Sequence, residues 1–222
     1  MLKRLKGKLK VYDEGSVSYI TMNITKTGKN KKIAILLDRD GVVTEDLGYV
    51  HKIEDFNLVP NALEGLKLLK DFKLIFITNQ SGIGRGYFKF EDFLNYNNRV
   101  VEELKKHNIK IEKTYHCPHK PEDSCECRKP KTKFLKDAEK EFGISLKKSF
   151  VIGDRKSDFE MGKNAGCKTI HVLTGYGINS KNEVNPDYFA KDLVDAAEWI
   201  LKSERNYIQK LPRKDGVGRN IG

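Results

Sequence analysis

At 222 residues and 38% hydrophobic content the chain is long enough for one well-cored domain with appendages, and its formal charge of +11 invites a nucleic-acid reading. The placement of that charge removes the reading: residues 1–32 hold nine Lys/Arg against two Asp/Glu and residues 205–222 hold five against one, so residues 33–204 are neutral overall. No run of eighteen apolar residues occurs and the basic start Met1 to Lys10 leads into no apolar signal-type stretch, so a cytoplasmic protein without a membrane partner is expected.

Residues 1–32 read as a basic extension in which Val11-Tyr12, the turn-like Asp13-Glu14-Gly15-Ser16 and Val17-Ser18-Tyr19-Ile20 fit a hairpin. Met22 offers a second start for translation, which would leave the first 21 residues outside the translated protein. From residue 33 short apolar runs alternate with longer amphipathic ones. A strand is predicted at Ile33 to Leu37, a helix at Ala62 to Lys70, a strand at Leu74 to Ile77, a helix at Phe90 to His107 and a strand near Ile111 to Tyr115. Beyond a cysteine-bearing loop follow a helix at Lys133 to Phe142, a strand at Ser149 to Ile152 and a short helix at Phe159 to Asn164. A strand at Thr169 to Leu173 and a helix at Leu193 to Leu201 complete the series. Strands buried on both faces and separated by helices give a doubly wound α/β domain over residues 33–204 with a mostly parallel sheet. Residues 205–222 have the polar composition of a disordered tail.

The loop after the third strand carries Cys117, His119, Cys125 and Cys127 within eleven residues, a complete tetrahedral donor set for zinc. Three thiolates and an imidazole leave no position for water, so this Zn²⁺ is expected to be structural and to fix the loop that ends in Arg128 and Lys129. Cys167, flanked by apolar residues, reads as an inert buried thiol.

In a doubly wound domain ligands meet the carboxyl ends of the strands. There the sequence places Asp38-Arg39-Asp40-Gly41, then Thr78-Asn79-Gln80-Ser81-Gly82, Arg128-Lys129, and Gly153-Asp154-Arg155-Lys156-Ser157-Asp158. These four segments together resemble the haloacid dehalogenase (HAD) superfamily of phosphotransferases, over about residues 33–175. The resemblance implies a Mg²⁺-dependent phosphatase. In that scheme Asp38 is the nucleophile that forms an aspartyl-phosphate, and Asp40 protonates the leaving alkoxide and then takes a proton from water. Asp154 completes the Mg²⁺ site with Asp38 and the backbone carbonyl of Asp40, Asp158 supports that set from behind, and Thr78 and Lys129 hold the phosphoryl oxygens. The physical need is plain: a phosphate monoester is a dianion, and a carboxylate can approach it only where charge is neutralised.

The zinc loop running into Arg128-Lys129-Pro130 narrows the resemblance to the branch that contains heptose 1,7-bisphosphate 7-phosphatases and histidinol-phosphate phosphatases. Asp46 to His51 and Thr78 to Gly86 look like the heptose type, whereas the five-residue gap from His119 to Cys125 is similar to the histidinol type. The heptose bisphosphate is therefore the expected substrate, with histidinol phosphate as the alternative. A nucleic-acid 3′-phosphatase or a non-catalytic binding module stands behind both. Substrate contacts are expected from Arg39, Asp46, Gly48, Tyr49, Asn79, Gln80, Ser81, Arg85, Arg128 and Arg155, with the arginines suited to a second phosphate. His51 is expected to contact nothing. Only 38 positions separate Asp40 from Thr78, which leaves no room for a cap domain. An open site in a monomer is expected, partly covered by the zinc loop and residues 41–60.

Overall fold

A computed structural model describes residues 32–209; the hairpin expected near the N-terminus and most of the basic tail lie outside the described residues. Six strands form one parallel sheet in the order β3-β2-β1-β4-β5-β6. They are β1 (Ala34–Leu37), β2 (Lys73–Asn79), β3 (Ile111–Cys117), β4 (Phe150–Gly153), β5 (Lys168–Val172) and β6 (Tyr188–Ala190). The helices are α1 (Ala62–Leu69), α2 (Ser81–Gly84), α3 (Phe90–Lys106), α4 (Lys133–Phe142), α5 (Lys156–Asn164), α6 (Gly177–Ser180) and α7 (Leu193–Gln209).

The two-residue period of a strand sorts the core into two layers. Ile35 and Leu37 of β1, with Leu74 and Phe76 of β2, pack under Leu66 of α1, Val100 and Leu104 of α3, and Ala196, Ala197 and Ile200 of α7. Ala34, Leu36, Ile75 and Ile77 face the other way, onto Leu135 and Ala138 of α4 and Met161 of α5. Helices on both faces leave only the ends of the central strands open, and all six strands end on one edge. Chain order reverses at β1, since β2 and β3 lie to one side and β4, β5 and β6 to the other. That reversal opens a crevice beyond the carboxyl end of β1.

Several boundaries move with functional consequence. β2 runs on through Thr78 and Asn79, paired with His116 and Cys117 of β3, so Thr78 and Cys117 are strand residues and not loop residues. α5 begins at Lys156, because the Asp158 carboxylate accepts the Arg155 N–H at 3.1 Å and caps the helix three residues before its apolar face begins. The edge strand β6 was not expected: three residues carry no period, and its pairing with β5 comes from tertiary contact. α7 continues to Gln209, five residues past the expected domain boundary at 204. No helix among the described residues is long and apolar enough to cross a membrane.

Candidate active site

Asp38 stands just beyond β1, where its N–H bonds Ile152 O of β4 at 2.9 Å. Its carboxylate is 7% exposed and meets the Lys129 Nζ at 2.7 Å. Lys129 itself is buried, a departure from the solvated surface lysine that its loop position also permits. Its ammonium donates to Asp38, to Asp158 Oδ1 at 2.7 Å and to Ile77 O at 3.0 Å, which uses all three protons. Burial alone would lower its pKa, but Asp158 and Asp38 outweigh that and hold it above the ordinary lysine range. The backbone of Lys129 is clasped by Asn79, whose amide accepts from Lys129 N at 3.1 Å and donates to Lys129 O at 3.4 Å. Asn79 lines the cavity, but its side-chain amide serves the lysine.

Asp154 follows β4 and is fully buried. Its Oδ2 accepts the Tyr176 N–H at 2.7 Å, while Oδ1 is buried without a hydrogen-bond partner. Gly41, at φ +84°, passes so close that a methyl group there would collide with the Asp154 carboxylate. Burial pushes Asp38 well above the ordinary carboxylate range and Asp154 up to about 7.

Carboxylate oxygens of Asp38, Asp154 and Asp158 lie within 4.8 Å of one another. Three carboxylates face one ammonium, so without a further cation their full ionisation is disfavoured, and one buried oxygen lacks a partner. A divalent cation with a preference for oxygen ligands fits both facts. Asp158 has one oxygen on Lys129 and the other on Arg155 N–H, so both of its oxygens are already engaged by the protein.

Asp40, the second carboxylate of the pair, is held from several sides. Gln80 Nε2 donates to Oδ2 at 2.8 Å and also to Thr78 Oγ1 at 2.8 Å, and Thr44 Oγ1 donates to Oδ1 at 3.1 Å. Arg39 completes the hold, and here the expectation of a substrate contact is corrected. The Arg39 side chain has no exposure and forks onto Asp40, Nε to Oδ1 at 2.9 Å and Nη2 to Oδ2 at 3.0 Å. Alternation explains the outcome: neighbouring residues beyond a strand project to opposite sides, so Arg39 turns into the α3 layer while Asp38 and Asp40 face the crevice.

Asp38, Asp40, Thr78, Asn79, Gln80 and Lys129 line one cavity of about 400 Å³ together with Asp46, Gly48, Tyr49, Val50, Ser81, Arg128, Arg155 and Ser157. Residues from the 41–60 segment and from the cysteine loop thus border the opening, as expected of a capless site. Asp46 bonds Arg155 at 2.7 Å and the Gly48 N–H at 3.0 Å, and the Arg155 guanidinium lies 4.8 Å from the Tyr176 ring centre. Arg85 is a second correction: it lies outside the cavity lining, where its guanidinium faces Glu122 at 3.8 Å. His51 is a third, since its ring stacks on Phe88 at 4.6 Å and its Nδ1 lies 2.8 Å from Tyr49 O.

Cys117, His119, Cys125 and Cys127 converge as their spacing implies. The three sulfurs are 3.3 to 3.5 Å apart, and His119 Nδ1 lies 3.7 Å from Cys117 Sγ and 3.4 Å from Cys127 Sγ. Bonds of ~2.3 Å to a central tetrahedral ion set sulfurs about 3.8 Å apart, so the set fits a metal with little adjustment. The loop is stitched to the segment after β2 through Gln80 N to Cys117 O at 2.7 Å and Gly84 N to Pro118 O at 3.0 Å. Arg128 reaches back to His119 O at 3.2 Å. Cys167 is buried apart from this cluster, and burial lifts its thiol to about 12, consistent with an inert role.

The HAD-hydrolase-like family model matches residues 126–196. The D-glycero-alpha-D-manno-heptose-1,7-bisphosphate 7-phosphatase of Campylobacter jejuni is 45% identical over 145 residues, covering 64% of this chain and 83% of that protein. The D-glycero-beta-D-manno-heptose-1,7-bisphosphate 7-phosphatase of Pasteurella multocida is 38% identical over 183 residues, covering 78% and 100%. Among solved structures, the D,D-heptose 1,7-bisphosphate phosphatase from B. bronchiseptica, complexed with magnesium and phosphate, superposes with a TM-score of 0.72. Its identity is 28%, over 77% of this chain and 99% of that one.

A parallel doubly wound sheet with paired aspartates, a threonine, a buried lysine and further carboxylates at one edge, in a chain so related, defines a phosphatase. The chain belongs to the HAD-like hydrolase family, as the four segments had implied.

Proposed function

We propose that this phosphatase removes the 7-phosphate of D-glycero-D-manno-heptose 1,7-bisphosphate through an aspartyl-phosphate on Asp38. The observation that carries the substrate is the pair of guanidiniums, Arg128 from the cysteine loop and Arg155 at the start of α5, lining the same cavity as Asp38. A bisphosphate has a second dianion to hold, and planar arginine forks suit it. The names of relatives matched over 83 and 100% of their length support the same substrate. Histidinol phosphate would instead need an acid for its amine; Asp46 lines the cavity but is paired with Arg155, and either partner would have to leave that pair to meet a substrate.

In the first step an Asp38 oxygen bonds to phosphorus as the phosphorus–oxygen bond to the sugar breaks, and Asp40 gives its proton to the departing oxygen. Water then attacks phosphorus, its proton passes to Asp40 and the Asp38 carboxylate is released. Thr78 and Lys129 hold phosphoryl oxygens throughout, the lysine exchanging its contact with Asp38 for one with the phosphoryl group as that carboxylate reacts. Mg²⁺, held by Asp38, Asp154 and the backbone carbonyl of Asp40, would neutralise the charge that otherwise repels the dianion. Zinc on the four cysteine-loop donors is structural, and the enzyme acts as a cytoplasmic monomer.

The substrate is tested by phosphate release with Mg²⁺ from both anomers of heptose 1,7-bisphosphate and from histidinol phosphate at matched concentrations. A kcat/KM at least about tenfold higher for one heptose anomer is expected, a difference of roughly 1.4 kcal/mol in transition-state binding. Preference for histidinol phosphate would defeat the proposal.

Magnesium is tested without turnover. Saturating Mg²⁺ is expected to raise the wild-type Tm by roughly 5–10 °C, the shift of about 2.7 kcal/mol of ligand linkage in a domain of this size. Asp154→Asn is expected to abolish that shift while leaving the metal-free Tm equal or higher, because it removes one of the crowded charges. An unchanged Mg²⁺ response in the variant would remove Asp154 from the site.

A further inference from the structure

Arg39 is a large side chain with no solvent exposure, enclosed by the rings of Tyr96 and Phe93 at 4.8 and 5.4 Å from its guanidinium carbon, yet one of its nitrogens, Nη1, is buried without a partner. Burying a guanidinium against one partly exposed carboxylate and two rings is a poor way to stabilise a core, and a flexible apolar side chain of similar volume would fill the place at no loss. What the fork does accomplish is geometric. Both Asp40 oxygens are fixed, Oδ1 by Arg39 Nε and Thr44, Oδ2 by Arg39 Nη2 and Gln80. Of these donors only Arg39 grips both oxygens at once, so it sets the plane of the carboxyl group, and its rings keep the fork from turning.

We infer that Arg39 is a positioning residue for proton donation by Asp40, holding the carboxyl plane toward the leaving oxygen from behind the site. This rests on the reading of Asp40 as the proton donor. As phosphorus transfers from the sugar oxygen to Asp38, the proton moves from Asp40 to that oxygen, and the negative charge left on Asp40 grows beside a cation that is already in place and needs no solvent to reorganise. The residue never touches substrate, in keeping with its absence from the cavity lining.

A leaving-group comparison separates this role from general support of the fold. An alkoxide departs poorly without a proton, whereas the p-nitrophenolate of p-nitrophenyl phosphate departs readily without one. Moreover, kcat/KM reports only steps up to formation of the phospho-enzyme, so the later hydrolysis does not blur it. Arg39→Met is expected to lower kcat/KM about 100-fold on the alkyl phosphate preferred in the comparison above, heptose bisphosphate or histidinol phosphate, with no more than about a threefold effect on p-nitrophenyl phosphate. Arg39→Lys, which keeps the charge but has no fork, is expected to show the same discrimination at smaller size, and it serves in place of the methionine variant if that chain does not fold. Equal losses on both substrates, or no loss on either, in a folded variant overturn the inference. Asp40→Asn is run in parallel: if it too discriminates against the alkyl phosphate while Arg39→Met does not, Arg39 alone is dismissed. If Asp40→Asn lowers both substrates equally, the proton-donor reading falls and takes the Arg39 inference with it.

Discussion

Replacing Asp38 by asparagine is expected to reduce phosphate release by at least about a thousandfold while leaving the fold intact, because a residue that acts as one unit with its partners costs most of the catalysis when lost. Asparagine has the shape of aspartate but a far poorer nucleophile, so the first covalent step has nothing to proceed through. Stability should scarcely suffer. The carboxylate stands among two others, and burial already disfavours its charge; the variant loses the contact with Lys129 but also relieves repulsion, and Lys129 keeps Asp158 and Ile77 O. Phosphate release is read with Mg²⁺ present, and thermal unfolding is followed on the same samples. A variant that retained a tenth of wild-type activity would end the aspartyl-phosphate reading. A variant that unfolded would instead show the Asp38–Lys129 pair to be structural.

That the site was legible before the fold follows from how its residues lie in the chain. Asp38, Asp40, Thr78 and Asp154 each sit at or just beyond the end of an apolar run, and parallel topology turns that sequence rule into one shared edge; Lys129, twelve residues past the end of β3, reaches the same edge by way of the cysteine loop. The cysteine cluster was legible for another reason, since its donors are local and need no tertiary contact to define them. Direction was harder to read. Arg39 lies between Asp38 and Asp40, and nothing in composition says that it turns inward; the signal was strand alternation carried two residues past Leu37, onto the same side of the sheet. Arg85 and His51 failed for lack of any such rule, because the loop geometry that sends one to Glu122 and the other onto Phe88 is set by contacts distant in sequence. β6 shows the same limit, a strand only because β5 offers it an edge.

The cysteine loop gives the second large expectation. One zinc per chain should be found by elemental analysis, and Cys125→Ser should remove it, lower the Tm by roughly 5–10 °C and lower kcat/KM at least about tenfold. The two losses have different origins. Stability falls because Cys117, His119 and Cys127, at 3.3 to 3.7 Å from one another, are left as crowded polar atoms with no ion to bind. Activity falls because the loop from Cys117 to Cys127 sets where Arg128 and Lys129 begin. Arg128 leans on His119 O of the same loop, and Asn79 can clasp the Lys129 backbone only if that backbone arrives beside β2. The lysine is fully desolvated and bonded on all three protons, so a shift of about 1 Å in its origin breaks contacts that no water can replace. Chelation of the wild-type protein should reproduce both losses, and restored zinc should reverse them. If the purified protein holds no zinc and Cys125→Ser changes neither Tm nor turnover, the loop is held by its own hydrogen bonds to Gln80 and Gly84, and the metal has no part in placing Lys129.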